Sequence, residues 1–268
     1  MQRWPVMPID SEIRGGVLLV TNNDPATRNA IGLDAFDGLA AAVAQANDRP
    51  DIGAVVITGA GGFFCSGGDI NGLRQRVGAD DAGRREGIDK LHAMIRILRE
   101  CPKPVIAAIE GGAAGAGVSL ALACDLIIAA RDAYFSVAYV KIGLTPDGGA
   151  TAFLSQSLPR QLVAELCLTG NRVGVDRFHH FGVVNQLTEP GEALPAALQA
   201  ASGLSHGPAR AITRIKELTH LGQTNSLEEQ LDCEAGRMSA SLADAEAREG
   251  TSAFLEKRPP DFTKLRGS

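Results

Sequence analysis

A chain of 268 residues has room for one sizeable core with an appendage as readily as for two equal domains. Hydrophobic residues make up 45% of it and aromatics only 4%, with 31 glycines, so the interior must be Ala, Val, Leu and Ile at close range, as in an α/β protein. A formal charge of −5 without a long basic stretch argues against nucleic acid or an anionic membrane as the main partner.

The first sixteen residues, Met1 to Gly16, carry Trp4, Pro5, Pro8, Asp10 and Glu12 and lack the apolar run of a signal peptide. Val17 to Val20 reads as a short strand closed by the turn-forming Asn22-Asn23-Asp24-Pro25. Phe36, Leu39, Val43 and Ala46 recur at helical spacing behind Asp34, which is placed to cap that helix. Ala54 to Thr58 is a β-branched strand running into Gly59-Ala60-Gly61-Gly62, and a second glycine pair follows at Gly67-Gly68. Gly72 to Gly87 is polar, charged and interrupted by glycines, and reads as a mobile connection. Ile88, Leu91, Ile95 and Leu98 then form an amphipathic helix stopped by Pro102.

The strand Val105 to Ile109 enters Gly111-Gly112-Ala113-Ala114-Gly115-Ala116-Gly117, followed by an apolar helix, Val118 to Cys124, and a strand, Leu126 to Ala129. This ββα rhythm recurs without an obvious sequence repeat. Beyond Pro146 the pattern is mostly helical. Ile212, Ile215, Leu218, Leu227, Leu231, Met238 and Leu242 leave apolar stripes that must face the main body or another subunit. The division expected is a core over residues 1–200 and a helical region over 201–268. No segment is apolar for long enough to span a bilayer, and Cys65, Cys101, Cys124, Cys167 and Cys233 read as reduced, buried thiols, so a soluble cytoplasmic protein is expected.

Two glycine-rich turns at strand ends carry the chemistry: Phe64-Cys65-Ser66-Gly67-Gly68-Asp69-Ile70 and the run from Gly111 to Gly117. Small residues let a ligand approach bare backbone, and N–H groups from two such turns, one at a helix start, suit charge that develops in a transition state. Either turn alone is equally well a close helix–strand crossing. A dinucleotide fingerprint fails because its third glycine would fall at Leu120. Gly117-Val118-Ser119-Leu120-Ala121 approximates a hydrolase nucleophile elbow, with Asp147 or Asp176 and His206 or His220 to complete a triad, but Ser119 falls inside the helix. The five histidines form no pair at metal-ligand spacing, and no metal is expected.

Together with Cys124-Asp125, the stretch Ile142-Gly143-Leu144-Thr145-Pro146-Asp147-Gly148-Gly149, Leu158-Pro159-Arg160 and Phe254-Leu255-Glu256-Lys257-Arg258, these turns resemble the motifs of the crotonase (enoyl-CoA hydratase/isomerase) superfamily in the right order. The pattern is most similar to its epoxy-dihydrophenylacetyl-CoA isomerase and oxepin-CoA hydrolase-like branch. The resemblance runs from about Val17 to Phe262 and implies an α/β fold, the crotonase-type ββα superhelix with a C-terminal helical trimerisation region, in a homo-oligomer that is a trimer or a dimer of trimers. It implies an acyl-CoA substrate whose thioester oxygen sits between the N–H groups of Gly68 and Ala116, with coenzyme A brought by the substrate and no separate cofactor. Ser66, Gly67, Asp69 and Ile70 would frame the CoA site, Arg28 and Ala30 would lie along the CoA chain, and Lys257 would reach the phosphates of a neighbouring subunit. For Arg28 and Lys257 a solvated surface charge is the other reading.

Where hydratases of this superfamily carry two glutamates, this sequence has Ser119 and Tyr139; a hydrogen bond donated by Tyr139 and a water held by Ser119 are open readings, but core hydroxyls satisfied by backbone are the first reading for both. Hydration needs a base for water and an acid for carbon. The remaining candidate is Asp147, where isomerase-type relatives place a single acid/base; the other reading of Asp147 is a helix N-cap. Isomerase chemistry is therefore favoured over hydration, and a binding protein with little catalysis is the alternative of another class. Asp125, between an apolar helix and an apolar strand, reads as structural.

Overall fold

The computed structural model describes residues 8–266, so Trp4, Pro5 and the opening of the segment judged to lack a signal peptide lie outside the described residues. A six-stranded sheet runs in the order β1 (Ile9–Arg14), β2 (Val17–Asn22), β3 (Ala54–Gly59), β4 (Val105–Ile109), β6 (Leu126–Ala130) and β9 (Gln186–Thr188). Only β1 is antiparallel to its neighbour; the other pairs are parallel. Parallel strands are buried on both faces, and the side chains alternate accordingly. Leu18, Val20, Val55 and Ile57 enter one apolar layer, and Val17, Leu19, Ala54 and Val56 enter the other.

The first layer lies under α1 (Leu33–Asn47), α3 (Asp81–Glu100) and α4 (Ala116–Ala123). The second is covered by α8 (Ala193–Ser205), where Ala197 and Ala201, four residues apart and fully buried, let the helix sit close to the strands. This helix runs across position 200, the expected boundary. A smaller sheet, β5 (Gly112–Ala114), β7 (Tyr134–Ser136) and β8 (Val173–Gly174), stands at the end of β4 and carries the second glycine turn. The helices α5 (Ala150–Ser157), α6 (Arg160–Thr169) and α7 (Val175–His180) fill the space beside it.

The chain closes with α9 (Ala209–Leu221), α10 (Leu227–Ala243) and α11 (Ala245–Glu256). Polar ties dock α9 on the core: Thr213 Oγ1 donates to Pro102 O at 2.8 Å and Lys216 Nζ to Lys103 O at 3.1 Å. Lys216, only 8% exposed, also lies 2.7 Å from the carboxylate of Asp125, which accepts the Val105 N–H at 2.8 Å. That network gives Asp125 a structural role. A capping box between Ser226 and Glu229 starts α10. Leu227, Met238, Leu242, Phe254 and Leu255 along α10 and α11 are exposed.

Several expectations are corrected. Gly72 to Gly87 is no loose connection: α2 (Ile70–Val77) and α3 occupy most of it. Asp69 caps α2 by accepting the N–H groups of Asn71 and Gly72 at 3.0 Å each, and Asp80 caps α3 through Gly83 N–H at 2.9 Å. Gly87 survives inside α3 because the Arg76 guanidinium fills the place of a Cβ. Asp34 is not the cap of α1; Gly32 is, and Asp34 sits one residue inside the first turn, facing the positive end of the helix. Cys65, Cys101 and Cys124 are buried, but Cys167 and Cys233 are only half-buried. Among the described residues no helix is long and apolar enough to cross a membrane.

Candidate active site

The two glycine turns meet. Cys65 N–H donates to Gly112 O at 3.3 Å, and Ala114 N–H donates back to Cys65 O at 2.9 Å, so a short parallel bridge joins the loops. Gly67 has φ +105°, and a Cβ there would sit 2.8 Å from Ala114 O, so only glycine permits this approach. Behind the first turn, buried Asn29 adopts φ 60° and sends its side-chain amide to the carbonyls of Ala60 and Phe63. Sequence reasoning passed over Asn29; the signal was an Asn beside a turn, since Asn tolerates the left-handed region.

Gly68 and Ala116, one from each turn, line the same cavity of about 400 Å³. Ala116 is the first residue of α4, so its N–H has no partner within the helix. Among the described residues neither that N–H nor the Gly68 N–H is given to any acceptor. The walls are mostly apolar, with Ile31, Phe36, Leu73, Ile88, Leu91 and Leu144, and Arg76, Arg84 and Lys141 also contribute. Asp147 is the one carboxylate among the lining residues.

Asp147 is not a helix cap: α5 begins at Ala150 behind Gly149, and no side chain caps it. Instead the Asp147 carboxylate accepts the Tyr139 hydroxyl at 2.8 Å. The phenol of Tyr139 is pushed above its ordinary value, by burial first and by the Asp147 charge second. Tyr139 is thus satisfied by a side chain, not by backbone as expected. Ser119 does meet backbone, donating to Asp147 O at 2.8 Å, and is fully buried.

The elbow alternative fails on these contacts. Ser119 lies in the middle of α4 with its proton given to a carbonyl, and no histidine lines the cavity. His206 Nδ1 lies 2.7 Å from Ser202 O, and His220 faces Asp125.

Of the other expected contact residues, Ser66, Gly67 and Ile70 line the cavity, whereas Arg28, Ala30, Asp69 and Lys257 do not. Ser66 N–H donates to Arg28 O at 2.9 Å, which places the Arg28–Ala30 segment along the first turn. The Arg28 guanidinium is exposed and lies over the Phe63 ring, 5.7 Å from its centroid. Ala30 and Asp69 border a second hollow with Asn23, Asp24 and Asp34. Lys257 is exposed at the C-terminal end of α11.

Unused N–H donors beside a single carboxylate in a largely apolar cleft suit a reaction in which negative charge gathers on a carbonyl oxygen while a proton moves nearby. A family model described as enoyl-CoA hydratase/isomerase matches residues 12–265, and the chain belongs to that family, the crotonase superfamily. It is 36% identical over 256 residues to the 1,2-epoxyphenylacetyl-CoA isomerase of Escherichia coli (strain K12), covering 94% of this chain and 97% of that one. It is 32% identical over 253 residues to the peroxisomal Delta(3,5)-Delta(2,4)-dienoyl-CoA isomerase of Arabidopsis thaliana, covering 91% of each. The crystal structure of an enoyl-CoA hydratase from Polaromonas sp. JS666 superposes with a TM-score of 0.92 at 41% identity, covering 94% of this chain and 98% of that chain.

Proposed function

We propose that this protein is an enoyl-CoA isomerase, or a ring-opening isomerase, that stabilises a thioester enolate between the N–H groups of Gly68 and Ala116 and moves the proton with Asp147. One observation carries the choice of isomerase over hydratase: the cavity wall holds a single carboxylate, and the hydratase glutamate positions are Ser119, committed to a carbonyl, and Tyr139, committed to Asp147. Water addition requires two groups in complementary protonation states; allylic proton transfer requires one that takes and returns the same proton. The apolar walls fit an unsaturated or ring-derived acyl group.

In this reading coenzyme A enters only as part of the substrate. Ser66, Gly67 and Ile70 meet it at the cavity rim, Asp69 holds the first turn in shape as the cap of α2, and Arg28 and Ala30 follow the chain outward. The C-terminal region, residues 201–268, is the assembly region of a trimer or a dimer of trimers, and Lys257 serves a neighbouring subunit. Exposed Phe254 (82%) and Leu255 (80%), adjacent to Lys257, support it.

The test is a mass-spectrometric screen against unsaturated, aromatic-ring-derived and hydroxylated acyl-CoAs in deuterated water. Deuterium at the α- or γ-carbon without net water addition is expected, and Asp147→Asn should abolish it while thioester affinity persists. Net hydration by the wild type, or full turnover by the variant, would remove the isomerase assignment. Binding without exchange anywhere in the panel would favour a protein that only holds CoA esters.

A further inference from the structure

Asp147 offers two carboxylate oxygens, and the structure treats them differently. Oδ1 accepts the Tyr139 hydroxyl at 2.8 Å, whereas Oδ2 has no hydrogen bond among the described residues, in a side chain that lines the cavity. The direction of the Tyr139 bond is set by its neighbours. Ser119 gives its proton to Asp147 O at 2.8 Å, and its 3.5 Å approach to the Tyr139 oxygen is long. The one phenolic proton therefore goes to Oδ1, and the raised pKa of the phenol, a weaker acid when buried beside the Asp147 charge, keeps it on Tyr139. The ring itself is fixed. Tyr139 lies in the short helical turn Ala138–Ile142, packs against the apolar core, and stands beside Gly115.

We infer that Tyr139 is a positioning residue that pins one oxygen of Asp147, so that the other is the sole proton carrier and serves both carbons of the substrate from one face. This rests on the assignment of Asp147 as the acid/base. Oδ2 takes the proton as the α-carbon–hydrogen bond breaks, and the bond's electron pair passes to the thioester oxygen as a dienolate. The same O–H bond then breaks, its proton joins the γ-carbon, and the electrons return to form the conjugated double bond and the carbonyl. No redox partner is needed. A carboxylate freed of Tyr139 turns about its last bond, since such torsions are broad. Its carried proton is then more readily lost to water before it reaches the second carbon.

The test compares the full-length wild type with Tyr139→Phe on 3-hexenoyl-CoA labelled with deuterium at the α-carbon, in ordinary water. Loss of a hydrogen bond to a charged group predicts a fall in kcat of about 10- to 100-fold. KM should stay within about two-fold, because the phenol positions a base and does not bind substrate. The fraction of label carried from the α- to the γ-carbon should fall as well, which a general loss of packing would not produce. Unchanged kcat and label transfer in Tyr139→Phe, with Asp147→Asn inactive, would overturn this inference alone. Full activity of Asp147→Asn, or no α-proton exchange by the wild type, would overturn the assignment of Asp147 and this inference with it. Should Tyr139→Phe fail to fold, 3-fluorotyrosine incorporated in a Tyr134→Phe background makes the Tyr139 phenol more acidic with one small added ring atom and touches no other tyrosine, since the chain has two. An unchanged kcat there would equally refute the role.

Discussion

Replacing Gly67 by Ala should separate the geometry of the two turns from their mere presence. The residue has φ +105°, and an added Cβ would meet Ala114 O at 2.8 Å and the Ala114 carbonyl carbon at 3.4 Å. Ala114 cannot yield freely, because its N–H is held by Cys65 O at 2.9 Å. The Gly67–Gly68 peptide must therefore turn, and it carries the Gly68 N–H with it. Backbone strain of this kind costs about 1–3 kcal/mol of stability. Losing one donor to a developing oxyanion costs about 2.7–4 kcal/mol of barrier, roughly 10²- to 10³-fold in kcat. Thioester affinity should fall much less, since the donors matter most when charge has formed. Gly62→Ala is the control: Gly62 also has positive φ, +75°, but among the described residues nothing lies within 4 Å of its added Cβ, so strain appears without displacement of a turn. Both variants would be followed by urea unfolding and by α-proton exchange in deuterated water. A folded Gly67→Ala enzyme with wild-type exchange would show that this turn holds no oxyanion. Equal losses of activity in both variants would point to general destabilisation.

Lys216→Met should be strongly destabilising, by about 3–5 kcal/mol in urea unfolding, because it leaves the Asp125 carboxylate without its buried partner 2.7 Å away. Adding Asp125→Asn, which keeps an acceptor for the Val105 N–H, should recover much of that; a loss below about 1 kcal/mol for Lys216→Met would contradict the network. Phe254→Asp combined with Leu255→Asp should reduce the mass seen by light scattering to that of a single chain, since these exposed apolar residues are the proposed contact; an unchanged mass would move the interface elsewhere. The Arg258 guanidinium first, and the Asp261 N–H second, hold the Glu249 carboxyl down to about 2. A carboxyl depressed on folding adds stability above its unfolded value of about 4.3 and loses it as the pH falls through its folded value. Hydrogen exchange at the Asp261 amide should therefore show protection at pH 5 that disappears between about pH 4 and 2; protection persisting at pH 2 would dispose of the clamp.

Most of the frame was legible in residue order. The apolar and β-branched runs Val17 to Val20, Ala54 to Thr58 and Val105 to Ile109 marked strands, and the helix after Gly117 began within two residues of its expected start. Strand Ile9–Arg14 escaped notice because five of its six residues are exposed, so no apolar period marks it. The segment from Gly72 to Gly87 was misjudged because glycine and charge normally signal a loop. Here a side chain from a neighbouring helix, Arg76, occupies the space that Gly87 leaves, a fact outside any local window.

The same division holds in the candidate site. The residues that allow a close backbone approach, Gly67 and Gly115 to Gly117, are readable because glycine's freedom is a property of one residue and its neighbours. Asp147 was identifiable as the candidate acid/base by resemblance. What Asp147 is bonded to was not, because the position and proton of the Tyr139 hydroxyl depend on β7, α4 and the turn before α5 packing together. The sequence by itself determined the strands Val17–Val20, Ala54–Thr58 and Val105–Ile109, the helix after Gly117 and the two glycine turns, since these follow from local backbone preference and apolar runs. Tertiary structure alone decided which oxygen of Asp147 meets Tyr139, which cation neutralises Asp125, and that Gly68 and Ala116 line one cavity. Hydrogen-bond geometry is a matter of tenths of an ångström between residues distant in the chain, and only packing sets distances on that scale.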